Sequence, residues 1–412
     1  MAMGTSLHVV VSCTEGSPAR VSRPAALGLL FALRSVALYN PRAMTSPSRI
    51  SSLLIKPAGP DCNLACDYCF YRPAGALYPH TRRPRMQPHV LRELVAQYMA
   101  LSDTPAFCWQ GGEPTLMGVD FFRRVVALQQ KHGRSGQVVA NSLQTNGVLI
   151  DDEWARLLAR YRFLVGLSLD GPADIHDHYR RNRGGAPTHA RVLQALRTLR
   201  QHRVETNALS LITPLSASQP EPVFRFLVEQ GLEYLQFIPC VEHETFGLSP
   251  GQWGDFLCAT FDLWLPLRDR LHLRHVDDLI LQLLGRGNEV SCACKPECGD
   301  YLVVEHNGDV YACDFFVDEP HRFGNLLQTP LAELAALPEA LAFAAAKRSL
   351  AAECRACEFL ELCYGGCCKH RVFHAERLDV PTFLCGGFRQ FFAHALPQLR
   401  PLVDEYRAGA PR

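Results

Sequence analysis

The sequence predicts an α/β chain, a partial (β/α)6 barrel followed by a cysteine-rich region built on a β-hairpin and helices. Three observations carry that prediction. Short apolar runs alternate with amphipathic stretches from Ser51 onward, the alternation stops after Pro239, and a hairpin signal and a dense group of cysteines then take over.

The strand-like runs are Leu53–Lys56, Ala106–Trp109, Val138–Leu143, Leu164–Leu169, Ala208–Ile212 and Leu235–Ile238. Helical patterns fill the gaps at 88–101, 119–131, 151–160, 188–202 and 219–230, where apolar residues recur every three to four positions. Strands alternating with helices read as a parallel array, and the absence of two further units makes the barrel partial. Functional residues of such an array sit on loops at the C-terminal strand ends.

Residues 1–48 show no period and include Met44 just before the first strand. They read as a disordered extension, or as a start site placed too far upstream. The barrel is expected over 49–245, a helical connection over 246–290 with two helices in 250–285, and the cysteine-rich domain over 291–390. A helix over about 386–406 and a tail close the chain, with 391–412 outside the cysteine-rich domain. Within that domain, Tyr301–Val304 and Val310–Cys313 flank His306-Asn307-Gly308-Asp309, whose Asn-Gly pair favours a type I′ turn.

Composition narrows the function. With 48% hydrophobic and 20% charged residues the chain buries a sizeable core. The 42 Lys and Arg against 41 Asp and Glu leave a net charge of +1 without a basic stripe, which argues against nucleic acid as a partner. Ala25–Leu38 is apolar, but Arg34 interrupts it and it is too short to span a bilayer; no A-x-A-like cleavage site follows. A cytoplasmic protein with no membrane partner is therefore expected. Disulfides are disfavoured in that compartment, so 17 cysteines, an odd number, read as metal-binding or redox groups.

Cys62, Cys66 and Cys69 share one loop directly after the first strand. Three thiolates ligate three corners of a cubane iron-sulfur cluster, whereas a closed structural site needs a fourth ligand. The missing ligand leaves one iron open to substrate or cofactor. The alternative is a zinc loop that borrows a distant ligand, in a non-enzymatic zinc or electron-transfer protein.

This C-x3-C-x2-C spacing, with Tyr68 before the last cysteine, resembles the radical S-adenosylmethionine (SAM) superfamily. The resemblance implies that the open iron chelates the amine and carboxylate of SAM, and that electron transfer yields methionine and a 5′-deoxyadenosyl radical. Gly111-Gly112-Glu113-Pro114, after the second strand, looks like the superfamily's glycine-rich loop, in which Gly112 lets the backbone approach the SAM amino group because glycine has no Cβ. By the same resemblance Ser168 and Arg180 contact the SAM ribose and carboxylate, a guanidinium suiting a bidentate carboxylate. Tyr68 approaches the adenine and Val241 lines the same pocket. The plainer readings are a solvated Arg180 in its arginine-rich run and a Val241 that is simply core.

The second group of cysteines comprises Cys292, Cys298 and Cys313 around the hairpin, then Cys354, Cys357, Cys363, Cys367 and Cys385. Eight thiolates make two complete four-cysteine sites, and full ligation suits electron transfer or structure. The arrangement resembles the SPASM domain of radical SAM enzymes that modify peptides and proteins, and within that group the anaerobic sulfatase-maturating enzymes. That resemblance covers roughly residues 50–390. It implies a first auxiliary 4Fe-4S cluster on Cys292, Cys298, Cys313 and Cys367, a second on Cys354, Cys357, Cys363 and Cys385, and three clusters in all. Cys294 and Cys368 lie beside proposed ligands and could exchange roles with them. Cys13, Cys108, Cys240 and Cys258 have no partner at ligand spacing and read as small buried hydrophobes.

Asp314 follows Cys313 directly, and the matching aspartate is the family's proposed general base. The implied reaction turns an active-site Cys or Ser of a sulfatase, within an unfolded Cys/Ser-x-Pro-x-Arg segment, into formylglycine. The radical takes a hydrogen atom from Cβ, Asp314 the thiol or hydroxyl proton, and an auxiliary cluster one electron; for a thiol substrate, hydrolysis of the resulting thioaldehyde then gives the aldehyde, and a flavodoxin or ferredoxin supplies reductant. Gln110 and Tyr71 flank the two loops and offer hydrogen bonds that position the target side chain. Two alternatives remain: Asp314 as a turn cap beside the hairpin, and a peptide maturase that forms thioether or carbon-carbon cross-links.

Overall fold

The computed structural model describes residues 50–81, 83–241 and 245–409. The expected extension over 1–48 and Cys13 lie outside the described residues. Six strands, β1 (Ser52–Lys56), β2 (Ala106–Trp109), β3 (Ala140–Thr145), β4 (Leu164–Ser168), β5 (Thr206–Ile212) and β6 (Tyr234–Pro239), neighbour one another in chain order. Every adjacent pair is parallel.

Between them run α1 (Pro88–Leu101), α2 (Val119–His132), α3 (Asp152–Arg160), α4 (Ala173–Tyr179), α5 (His189–Gln201), α6 (Pro214–Ala217) and α7 (Pro220–Glu229). Local chemistry sets several of the starts. Pro88 opens α1 with the residue that lacks the N–H a first turn leaves unpaired, and the Asp151 side chain accepts from Trp154 N at the start of α3. The α4 helix was not expected; it lies directly after β4, where no apolar period is long enough to reveal it.

Both faces of a parallel sheet are covered, which is why β1 and β2 are buried at every position. Leu53, Ile55, Phe107, Trp109 and Leu143 meet Leu94, Val95, Phe122 and Val125 from α1 and α2 in one core. Each such side chain contributes about 1.5–3 kcal/mol of burial, and Phe122→Ala should cost about 3–5 kcal/mol.

The sheet is wider than the six expected strands. At one edge β7 (His272–Leu273) joins β6 in parallel. At the other, β8 (Tyr301–Glu305) pairs in parallel with β1, and β9 (Asp309–Tyr311) and β10 (Arg322–Asn325) follow antiparallel. The hairpin of the cysteine-rich region is thus continuous with the barrel sheet, and the expected purely helical stretch over 246–290 contributes a strand. A two-residue strand such as β7 has no alternation to read; only pairing with β6 makes it one.

The expected type I′ turn does not form. Gly308 N bonds Glu305 O at 2.9 Å, the backbone at Asn307 keeps a negative φ, and Gly308 takes φ 92°. This is the three-residue hairpin loop closed by a left-handed glycine. The Asn307 amide bonds Asp309 instead of driving a primed turn.

Helices α8 (Pro250–Trp264) and α9 (Arg274–Leu283) precede β8. After β10 come α10 (Leu331–Ala336), α11 (Pro338–Ala346), α12 (Ala352–Arg355), α13 (Leu360–Cys363), α14 (Cys368–Ala375) and the long α15 (Cys385–Gly409). The α15 helix crosses α8 at two glycines: a Cβ at Gly387 would stand 2.3 Å from Pro250 O. That close approach fixes where Cys385, the first residue of α15, is held.

Candidate active site

The loop beyond β1 carries Cys62, Cys66 and Cys69, and a second loop braces it. Gly112 N donates to Gly59 O at 2.8 Å and Glu113 N to Asp61 O at 2.9 Å. A Cβ at Gly112 would lie 2.0 Å from Asp61 O, so glycine is required there by contact between two backbones, whatever approaches from the other side. Glu113 is buried and its carboxylate accepts from Thr115 N and Oγ1, Thr145 Oγ1 and Asn146 N. It ties the loops after β2 and β3 together. Asn146 Nδ2 in turn reaches Asn63 Oδ1 at 2.7 Å and Cys62 Sγ at 3.7 Å.

Burial pushes the Cys62 thiol up to about 12 and the Cys66 thiol up to about 11. Gathered thiolates at this depth therefore need the charge of a metal. No three His, Cys, Asp or Glu among the described residues converge as ligands of a single ion; a cubane instead takes each sulfur at a separate corner.

At the end of β4, Asp170 organises the residues expected at the SAM pocket. Arg180 Nε and Nη2 bond its two oxygens at 2.7 and 3.1 Å, Tyr68 Oη donates to Oδ2, and Leu211 N donates to Oδ1 at 2.9 Å. Burial pushes the Asp170 carboxyl up, but the Arg180 guanidinium outweighs it and holds the group below the usual carboxylate range. Arg180 is therefore a largely covered, ion-paired cation and not a solvated member of its run. Ser168 is buried on the same strand, while Val241 packs with Phe237, Leu248 and Trp253 in the apolar core.

Asp314 lies at the ends of β1 and β2. It is buried, paired with Lys56 Nζ, and accepts from Gln110 Nε2 at 3.1 Å. Burial disfavours its ionised form, and the Lys56 ammonium opposes that. The Tyr71 ring stands 3.5 Å from Lys56 Nζ, and its hydroxyl donates to Glu305. Of the two expected positioning residues, Gln110 thus holds the Asp314 carboxylate directly, and Tyr71 packs on its Lys56 partner.

The remaining cysteines separate into two cavities. One is lined by Cys292, Cys298, Cys313, Cys367 and Cys368; the other by Cys354, Cys357, Cys363 and Cys385. Cys298 Sγ and Cys368 Sγ are 3.8 Å apart, and Tyr301 Oη sits 3.1 Å from Cys313 Sγ. Cys294 lines neither cavity. Cys108 and Cys240 are buried as expected, but Cys258 is only half-buried, because its position on α8 faces partly outward.

The sequence matches the radical SAM superfamily over residues 57–227 and an iron-sulfur cluster-binding domain, SPASM, over 294–358. A serine-type anaerobic sulfatase-maturating enzyme of Bacteroides thetaiotaomicron is 33% identical over 84% of this chain and 90% of its own. A cysteine-type enzyme of Clostridium perfringens is 35% identical over 84% of this chain and 97% of its own. The chain belongs to the anaerobic sulfatase-maturating enzymes. A solved structure of this family, described as native anSMEcpe with bound AdoMet and Cp18Cys peptide, superposes with a TM-score of 0.80 at 34% identity, covering 86% of this chain and 99% of that one.

As a member of this family it is a radical SAM enzyme with iron-sulfur domains. No helix among the described residues is long and apolar enough to cross a membrane. Sequence reading gave no role to Lys56 or Asp170. Lys56, a lone charge closing an apolar strand run, and Asp170, two residues past Ser168, were the available signals.

Proposed function

We propose that this enzyme oxidises an active-site Cys or Ser of a sulfatase to 3-oxoalanine (formylglycine), acting on an unfolded Cys/Ser-x-Pro-x-Arg segment with 5′-deoxyadenosine and methionine as co-products. The observation that carries it is Asp314, buried beside Cys313 and bonded to both Lys56 and Gln110. Bound SAM and the clusters supply a hydrogen-abstracting radical and a path for one electron.

The protein's own groups do the rest. Asp314 accepts the thiol or hydroxyl proton; the Lys56 ammonium favours its ionised form, and Gln110 fixes its orientation. Tyr68, Gly112, Ser168, Arg180 and Val241 bind SAM, with Asp170 holding Tyr68 and Arg180 in place. Cys62, Cys66 and Cys69 would hold the iron-sulfur cluster that supplies the electron for SAM cleavage. The two auxiliary sets are Cys292, Cys298, Cys313 and Cys367, and Cys354, Cys357, Cys363 and Cys385; the lining of the two cavities supports them. Three 4Fe-4S clusters, a flavodoxin- or ferredoxin-type donor, a cytoplasmic location and division into 49–245, 246–290 and 291–390 complete the reading. Relatives of both serine and cysteine type at nearly equal identity support the family chemistry without favouring either residue.

Reconstituted enzyme given SAM, reductant and a peptide containing Cys-x-Pro-x-Arg should yield 5′-deoxyadenosine and an aldehyde trapped as a hydrazone. Cleavage of SAM with an unaltered peptide would overturn the substrate, and a peptide that loses two hydrogens by cross-linking would replace the reaction.

A further inference from the structure

Lys347 is 1% exposed and forms no carboxylate ion pair among the described residues. Its ammonium donates to Cys292 O at 2.6 Å and Ala293 O at 3.0 Å, and it lines the five-cysteine cavity. A buried cation held only by neutral carbonyls is costly unless a negative charge lies close by. Around Lys347 the source of that charge is the cysteine sulfurs that line the same cavity. Arg371, fully buried, anchors the backbone here, donating to Lys347 O at 3.0 Å and Ser349 O at 3.1 Å.

We propose that Lys347 is the counter-charge of the iron-sulfur site held by Cys292, Cys298, Cys313 and Cys367, and that its charge raises the reduction potential of that site. The inference rests on the reading that these cysteines hold a cluster. A cluster bound by four thiolates is anionic and gains one more negative charge when it takes an electron, so a fixed cation stabilises the reduced state more than the oxidised one. Cluster potential is set by net charge and by hydrogen bonds around the sulfurs, and the enclosed position of Lys347 lets its charge act with little screening. An electron leaving the substrate would then find this site easier to reduce than its four thiolates alone would make it.

The test uses the full chain carrying Cys62→Ala, Cys66→Ala and Cys69→Ala, so that only the later sites report. Reconstituted protein is titrated electrochemically with optical and EPR detection, and iron is counted for each variant. K347Q should load iron as its parent does but show a ratio of reduced to oxidised cluster about tenfold lower at the parent's midpoint, a shift of about 59 mV for one electron; K347R should stay near the parent. Loss of about four irons in K347Q with full loading in K347R also supports a required charge. The proposal is overturned if K347Q loads fully with an unmoved midpoint, or if K347R fails as K347Q does. A parent that takes up no iron overturns the reading beneath it, a result distinct from either variant outcome.

Discussion

Cys62, Cys66 and Cys69 come from one short loop, held by the glycine loop after β2 and by Asn146 after β3. The cavity of Cys292, Cys298, Cys313 and Cys367 instead draws its lining from a turn before β8, the end of β9 and the start of α14, and Lys347 at the end of α11 closes it. The first group offers three thiols and the second five. The difference teaches how one chain gathers cysteines in two ways. The first group is built locally, where neighbouring loops brace it. The second is assembled from distant segments, whose packing places a buried cation beside the sulfurs.

Breaking the local site should have the largest effect. Cys66→Ala should abolish 5′-deoxyadenosine formation and lower iron by about four per chain, read by product chromatography and iron analysis. Full activity in that variant would remove the loop from the chemistry. Asp314→Asn should separate the two regions' tasks: SAM cleavage persists while aldehyde formation falls about 10²-fold or more, the range for loss of a general base. Equal loss of both products would mean that Asp314 shapes the radical site and not the proton transfer.

Asp170→Asn tests the bracing. It leaves Arg180 covered with a weakened partner, and removing one member of such a pair costs about 3 kcal/mol or more, seen as a lower Tm together with a raised KM for SAM. An unchanged KM with the lowered Tm would make the pair structural only.

The smallest effect lies outside both sites. His275 packs between Phe237 and Phe391 with neither ring nitrogen hydrogen-bonded among the described residues, and burial lowers its pKa to about 3. The unfolded chain takes up this proton near pH 6.5 and the folded one does not until about 3. Its neutral form thus contributes full stability above about pH 6.5, and that contribution declines on acidification at about 1.4 kcal/mol per pH unit. His275→Phe should flatten the acid limb of a denaturation-versus-pH curve by that one proton. An unaltered slope would show that the ring is solvated.

Much of this was legible in the residue order. The strand runs at Leu53–Lys56 and Ala106–Trp109 and the loop cysteines after them are local signals, because a buried parallel strand is a continuous apolar run and a three-ligand loop is one spacing. The helix α4 and the strand β7 were not, being too short to show a period. Nor was the turn at Gly308: Asn-Gly suits a primed turn in isolation, and pairing of β9 with both β8 and β10 selects another. Asp170 and Lys56 carried only their positions at strand ends as a signal, and a charged residue there is usually solvated.

The sequence by itself determined the class of chemistry, through cysteine spacing and its agreement with the alternation of strands and helices. Only the tertiary structure decided which groups act on one another: that β8 adds to β1, that Asp314 therefore meets Lys56 and Gln110, and that two of the covered cations face Asp170 and the cysteine cavity. The physical reason is separation along the chain. Spacing within a loop survives in a sequence because it fixes geometry directly, whereas contacts across hundreds of residues exist only after burial has chosen which surfaces meet.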